Sequence, residues 1–261
     1  APDRLLVGQL MNSQGPMART VSDVRLALEV LMGSHPRDPW AIDAPFRGPA
    51  EAGPIRVAVI THPPGGPTDP VVADAVRAAA VALADAGYAV EEVAPPRYEE
   101  AVETAAQWLM ADYASHLEAV MQIMGRDGVI FLKAYRDAAL PVRDAAEFSA
   151  IFETRDGLAR AWSLFMADYP LILSPTWARL PFELGFDIDT LEGSLATREL
   201  IRPVMPANIF GLPSACVPVA VDAGSGLPIG VLLTGRRFRE DMCLDAAEVV
   251  ERLGTITTPL G

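Results

Sequence analysis

Basic residues are scarce in this chain. Its 261 residues carry 21 Lys plus Arg against 34 Asp plus Glu, a net charge of -13. A nucleic-acid binder needs a basic face that displaces counterions. Anionic membranes likewise recruit polybasic segments. Neither partner suits this charge, whereas a neutral or cationic small molecule is not repelled. Lysine is nearly missing, with Lys133 the only one. Cysteine is limited to Cys216 and Cys243. Two thiols make neither a disulfide framework nor a zinc spacing, and they read as buried, reduced residues of a cytoplasmic protein. His35, His62 and His116 are scattered, so no metal site is expected. His116 follows Asp112 at helical spacing and reads as an ordinary surface pair. No apolar run reaches the roughly 18 residues of a membrane-spanning helix. The first residues, Ala1-Pro2-Asp3-Arg4, show neither an initiator Met nor a signal-peptide shape. They read as the interior of a longer chain.

What is present is apolar. Hydrophobic residues make up 51% and mean hydropathy is +0.23, enough to build a substantial core and to argue against global disorder. Thr20 to Gly33 reads as a helix that Thr20 or Ser22 caps and Gly33 stops. The Pro- and Gly-rich stretch from Ala44 to Pro54 reads as a connector. Ile55 to Thr61 is a strand. Asp69-Pro70 opens a helix with proline at its first position, Val72, Val76, Ala79, Ala80 and Leu83 line one face, and Gly87 ends it. Tyr88 to Val93 is the next strand, so the unit is βαβ and its strands should be parallel neighbours in a covered sheet. Glu99 to Met124 and Asp144 to Tyr169 read as long helices. Leu171 to Ser174 is a buried strand, and Trp177 to Ser194 reads as loop. Ala215 to Val221 and Ile229 to Thr234 form a hairpin across Asp222 to Pro228. An amphipathic helix from Glu240 to Leu253 closes the chain.

Most candidate chemistry fails on spacing. The loop His62 to Thr68 has adjacent glycines but lacks the G-x-G-x-x-G pattern that brings backbone against a pyrophosphate. Gly224-Ser225-Gly226 is the nearest approach to a nucleophile elbow, yet it lies in a hairpin turn, where glycine supplies positive φ. A Ser-Lys mechanism needs a desolvated lysine, and Lys133 reads as a solvated one.

Four motifs in order carry a resemblance. Gly15-Pro16-Met17-Ala18-Arg19-Thr20-Val21 comes first. Ser174-Pro175-Thr176 follows. Then come Pro206 to Pro213, with its Asn208, Gly211 and Pro213, and Leu227 to Gly235, with Gly230 inside it. Together they resemble the C-terminal half of an amidase signature enzyme, from about Gln9 to Leu253. The resemblance implies an α/β fold, in part: a mixed β-sheet core covered by helices on both faces. The whole of 1–261 would be the C-terminal part of a single amidase-type domain, with about 99–170 a variable helical region on the substrate side.

The implied reaction is hydrolysis of a carboxylic amide to acid and ammonia through a serine acyl-enzyme, without a cofactor. In the family a Ser-Ser-Lys relay performs it, from a Gly/Ser-rich segment that would lie upstream of Gly15. No residue of this chain matches that segment, so none here is assigned as catalytic. A non-catalytic or partner-dependent subunit is the competing expectation. The implied partners are a small amide and a missing N-terminal segment or companion chain, and a homodimer is compatible. An apolar sheet edge is expected where that partner is absent. Trp177, Phe182, Ile201, Asn208 and Phe210 are candidates for the substrate pocket. Gly15, Pro16, Arg19, Thr20, Pro175, Thr176, Gly211, Pro213 and Gly230 read as structural. In glutamine-using relatives an Asp occupies the position of Ile201, which disfavours glutamine here.

Overall fold

The computed structural model describes residues 4–114, 116–138 and 141–254. Five strands form one mixed sheet in the order β2-β1-β3-β5-β4. They are β1 (Arg56–Val59), β2 (Ala89–Glu92), β3 (Leu171–Pro175), β4 (Ser214–Val221) and β5 (Pro228–Gly235). β1 lies parallel to both β2 and β3. β5 runs antiparallel to β3 and to β4. The chain winds from β1 to one side and then crosses to the other, so the winding direction reverses between β1 and β3.

Alternation along the strands divides the core into two layers. Val57, Val59, Leu171, Leu173, Val231 and Leu233 point to one face. There they meet α3 (Pro70–Asp85) through Val72, Val76, Ala79 and Leu83, and α11 (Glu240–Glu251) through Met242, Ala246 and Val250. Ala58, Ile60 and Ile172 point to the other face. They meet α4 (Tyr98–Ala114), α7 (Ala145–Asp168) and the short α10 (Met205–Phe210), where Trp108, Leu158, Trp162 and Ile209 are buried. Each fully buried side chain of this size contributes about 2 kcal/mol.

The βαβ unit forms where its sequence places it. Pro70 is the first residue of α3, and Gly87 leaves it at φ +95. β2 differs from expectation, because its side chains are mostly exposed. It is an edge strand, and its Glu91 pairs with Arg56 and Tyr169 rather than packing in a layer. The long helix expected from Glu99 to Met124 is two, α4 and α5 (Leu117–Ile123), with His116 at the N-cap of the second. Asp112, expected as a surface partner of His116, accepts the Val7 N–H through its carboxylate at 2.7 Å and so holds α1 (Leu6–Leu10). A helix unremarked in the sequence, α6 (Arg126–Ala138), carries Lys133 on its exposed side.

The stretch read as loop after Trp177 is also helical in part. It contains α8 (Phe186–Asp189) and then α9 (Leu191–Leu200). Thr190 starts α9 by accepting the Gly193 N–H at 3.0 Å. Gly193 in its first turn obscures the pattern, yet a Cβ there would collide with the Phe186 carbonyl.

Near the start, Thr20 caps α2 (Val21–Leu31) by accepting the Asp23 N–H, and Glu251 of α11 accepts the Val21 N–H at 2.7 Å. Gly15 and Arg19 are exposed, and Pro16 is half-buried. The connector Ala44 to Pro54 is tied down by charge. Glu51 pairs with Arg236 and with Arg239, and Asp241 accepts from Arg239 Nε and from the Gly48 N–H, both at 3.0 Å. Both Arg239 and Asp241 are buried.

Burial alone would raise the Asp241 pKa, but the Arg239 and Gly48 bonds outweigh it and hold the carboxyl below its ordinary value. A depressed folded pKa contributes stability above the unfolded value of about 3.9, and this is lost as pH falls through the folded one. Asp241→Asn should therefore be about 1–3 kcal/mol less stable than wild type at pH 7. The gap should narrow below about pH 4. Urea melts of both proteins from pH 7 to 3 measure it, and a gap independent of pH would rule the account out.

Candidate active-site wall

Ligands of open α/β sheets bind beyond the carboxyl ends of strands, where the winding reverses. Here that place is the ends of β1 and β3. The loop after β1 cannot serve a phosphate, for a reason not visible in its sequence. Arg202, only 2% exposed, enters it from a 3-10 turn (Arg202–Val204). Its Nε donates to Pro63 O at 3.2 Å. Nη2 donates to Gly66 O at 3.0 Å and Pro67 O at 3.3 Å, and Nη1 to Glu199 O at 3.1 Å. The loop thus turns carbonyls inward onto a cation, whereas a phosphate needs N–H groups. Gly65 sits at φ +99, and a Cβ on Gly66 would lie 2.6 Å from Arg202 Nη1. The two glycines make room for a guanidinium. Burial lowers the Arg202 pKa and the Glu199 carboxylate, 3.8 Å away, opposes that shift.

The end of β3 opens instead into a cavity of about 360 Å3. Thr176, Trp177, Leu180 and Phe182 form one wall, and Cys216, Pro218, Ile229 and Gly230 of the hairpin form the other. The Trp177 and Phe182 rings lie 5.9 Å apart, and Phe182 stands 5.2 Å from Phe186. The wall is mainly apolar. Its polar atoms include the Thr176 hydroxyl and the Cys216 thiol, 3.1 Å apart. A Cβ on Gly230 would come within 3.3 Å of both. Cys216 is exposed, contrary to the sequence reading of two buried thiols. α11 packs on one face of β4 through Val217 and Val219, and on the opposite face Ser214, Cys216 and Pro218 are exposed. Cys243 is buried, and burial pushes its thiol pKa up.

The structure brings together only some of the anticipated pocket residues. Trp177 and Phe182 line the cavity, with Thr176 and Gly230 beside them. Ile201 and Phe210 lie in the second core layer, Phe210 with its ring 5.1 Å from Trp162. Asn208 is exposed on α10. Gly211 ends that helix in the left-handed conformation at φ 62, and the Leu212 N–H returns to Ala207 O at 2.9 Å. Pro213 O accepts the Gly235 N–H at 3.0 Å, joining the motif to the hairpin. Arg202, Asp69 and Cys216 were missed. A buried arginine after a polar, amphipathic helix carries no local pattern. The adjacent glycines facing it were the available signal. Gly224 to Gly226 is a turn, in which Asp222 accepts from Ser225, so Ser225 is not poised as a nucleophile. Among the described residues no cluster of His, Cys, Asp or Glu could hold a metal, and no helix is long and apolar enough to cross a membrane.

A sequence model of the amidase family matches residues 7–244. The chain belongs to the amidase family. It is 39% identical over 255 residues to an indoleacetamide hydrolase of Bradyrhizobium diazoefficiens, covering 95% of this chain and 47% of that protein. A second indoleacetamide hydrolase, of Bradyrhizobium japonicum, is 39% identical over 259 residues, with 96% and 54% covered. The fold matches 6-aminohexanoate cyclic dimer hydrolase complexed with substrate, with a TM-score of 0.70 at 25% identity over 90% of this chain and 54% of that one. The chain therefore spans about half the length of the amidases it matches. The sheet and its two helical layers are the mixed, doubly covered core expected of that family.

If the paired glycines exist to admit Arg202, Gly66→Ala should lower stability by about 1–3 kcal/mol, the usual penalty for overpacking. Equilibrium urea unfolding reads this, and an unchanged midpoint would show that the loop yields freely.

Proposed function

We propose that this chain is one half of an enzyme that hydrolyses a carboxylic amide to acid and ammonia, and that the cavity beyond β3 receives the acyl group. The observation that carries the reading is the family match through 7–244 combined with an open, apolar cavity at the reversal side of the sheet. In the reaction a serine oxygen adds to the amide carbonyl. The C–N bond then breaks as the nitrogen takes a proton and leaves as ammonia. Water next attacks the acyl-enzyme and releases the acid. The serine and its proton relay come from outside these residues.

The seat for that machinery is the β4 edge. The two sheet edges differ in chemistry. β2 carries Glu91 and Glu92 and is protected as edges usually are. β4 reads Ser-Ala-Cys-Val-Pro-Val-Ala-Val, without a charge, and its Ser214, Cys216 and Pro218 are exposed. An upstream segment or a companion chain would add there, next to the cavity, and complete the site. A partner-dependent subunit remains the second reading, favoured by this uncharged edge.

The acyl group is apolar and flat. Trp177 and Phe182 offer two ring faces, and Arg179 is the one charged residue among the described lining of the cavity. The two indoleacetamide hydrolases point the same way by name, since indoleacetamide carries a bicyclic aromatic acyl group, whereas the 6-aminohexanoate cyclic dimer of other relatives is aliphatic. Glutamine fits poorly, because no described Asp or Glu lines the cavity to meet an ammonium and Arg179 stands there instead.

Ammonia release from indole-3-acetamide, phenylacetamide, acetamide and glutamine by the catalytically complete protein tests this. The aromatic amides should be preferred, and Trp177→Ala should raise their KM about tenfold while changing kcat less. Absence of ammonia from every amide would sink the reading.

A further inference from the structure

Arg202 and the cavity are separate sites in the sequence, but one set of main-chain bonds joins them. Arg202 binds the carbonyls of Pro63, Gly66 and Pro67, which fixes the loop leading to Asp69. The Asp69 N–H donates to Ala178 O at 2.8 Å. The Ala178 N–H donates to Leu200 O at 3.2 Å, two residues before Arg202. Ala178 is buried, and both its peptide groups are therefore held between the Arg202 turn and the Asp69 loop. It lies directly between Trp177 and Arg179. Asp69 adds side-chain contacts, with its carboxylate 3.4 Å from the Leu180 N–H and 3.5 Å from Arg179 Nε. Asp69 occupies the N-cap of α3 but does not cap that helix with its side chain. The usual use of an N-cap carboxylate is given up, and the group is turned to the cavity wall instead.

We propose that Arg202 is a positioning residue that sets the aromatic wall of the cavity, with Asp69 as its relay, and so determines selectivity for flat acyl groups. Arg202 lines no part of the cavity. It acts by holding the Pro63, Gly66 and Pro67 carbonyls through the fixed fork of its guanidinium, which a lysine ammonium cannot reproduce. When the Asp69 loop shifts, the Ala178 bonds shift with it. Trp177 and Phe182 then no longer hold their present spacing. Small amides, which need no aromatic wall, should be affected little.

The inference rests on the acyl-pocket reading, so its test must not depend on turnover alone. Arg202→Lys and Asp69→Asn are made in the catalytically complete protein, with Trp177→Ala as the wall control and Arg77→Ala, on the exposed side of α3, as the neutral one. Two quantities are read on each. One is the ratio of kcat/KM for phenylacetamide to that for acetamide. The other is the equilibrium Kd of phenylacetic acid by calorimetry, which needs no catalysis. Arg202→Lys should lower the selectivity ratio about tenfold, mostly through KM, and weaken phenylacetic acid binding by a similar factor. Asp69→Asn keeps an acceptor for Leu180 and should fall between Arg202→Lys and wild type. An equal loss on both amides, or unchanged Kd and ratio in a folded Arg202→Lys protein, would overturn the proposal. If wild type releases no ammonia from any amide, the amidase reading fails, and the Kd series still decides whether Arg202 sets the wall. If Arg202→Lys does not fold, Asp69→Asn and Asp69→Ala carry the same two readouts.

Discussion

The structure turns on β3. Each of its five residues is buried, and it is the one strand with a parallel neighbour on one side and an antiparallel neighbour on the other. A strand so enclosed must have apolar side chains on both faces and helices over both. It also fixes where its ends emerge. The carboxyl end of β3 lies beside the carboxyl end of β1 and the start of β5. Everything that could act on a substrate is gathered there: Thr176 and Trp177 leaving the strand, the Arg202 loop next to it, and the Gly230 turn-side residues of the hairpin.

Arg202 shows how a charge can serve as structure. Taking a guanidinium out of water is costly unless its donors are satisfied. Here carbonyl oxygens from two segments satisfy Nε, Nη1 and Nη2, with the Glu199 carboxylate more distant. The arrangement consumes carbonyls that a proline-rich loop, poor in N–H groups, has in surplus. Pro63, Pro64 and Pro67 have no donors of their own. A proline-glycine loop and a buried arginine are therefore complementary. The same pairing explains why a βαβ unit in this chain is not a nucleotide site.

Legibility in the sequence followed the range of the interactions. The Asp69-Pro70 start, the Gly87 stop, the Thr20 cap and the Asp222 to Pro228 hairpin were readable because each is decided within a few residues. The break near His116 and the helices after Gly185 were not, because His116 stops no apolar pattern and Gly193 interrupts one. The βαβ pattern alone predicts β2 in a covered sheet. Only its place at the edge, set by the fold, leaves it exposed. Trp177 and Phe182 could be placed at a strand end by pattern alone. Phe210 could not be told from a pocket residue, since a buried aromatic ring in the core and one lining a cavity share the same local sequence. Cys216 was misjudged for a related reason. A cysteine in an apolar strand reads as buried until one knows that α11 covers the Val217 and Val219 face of β4 and that Cys216 lies on the other.

The two sheet edges complete the physical picture. An edge strand offers unpaired N–H and C=O groups, and proteins that leave one open guard it with charge. β2 follows that rule through Glu91 and Glu92, with Arg56 and Tyr169 holding Glu91 in place. β4 is interrupted by a bulge between Pro218 and Ala220, where Pro218 lacks an N–H and the strand kinks locally. Its remaining residues are small and uncharged. Small side chains on an uncovered face let another backbone approach closely, and the cavity lies against that same face at Cys216, Pro218 and Gly230. On the proposed reading, a reacting group carried by a strand or loop docked on β4 would reach an acyl group held between Trp177 and Phe182. The β4 edge and the aromatic cavity would then be two sides of one site, because Cys216 and Pro218 belong to both.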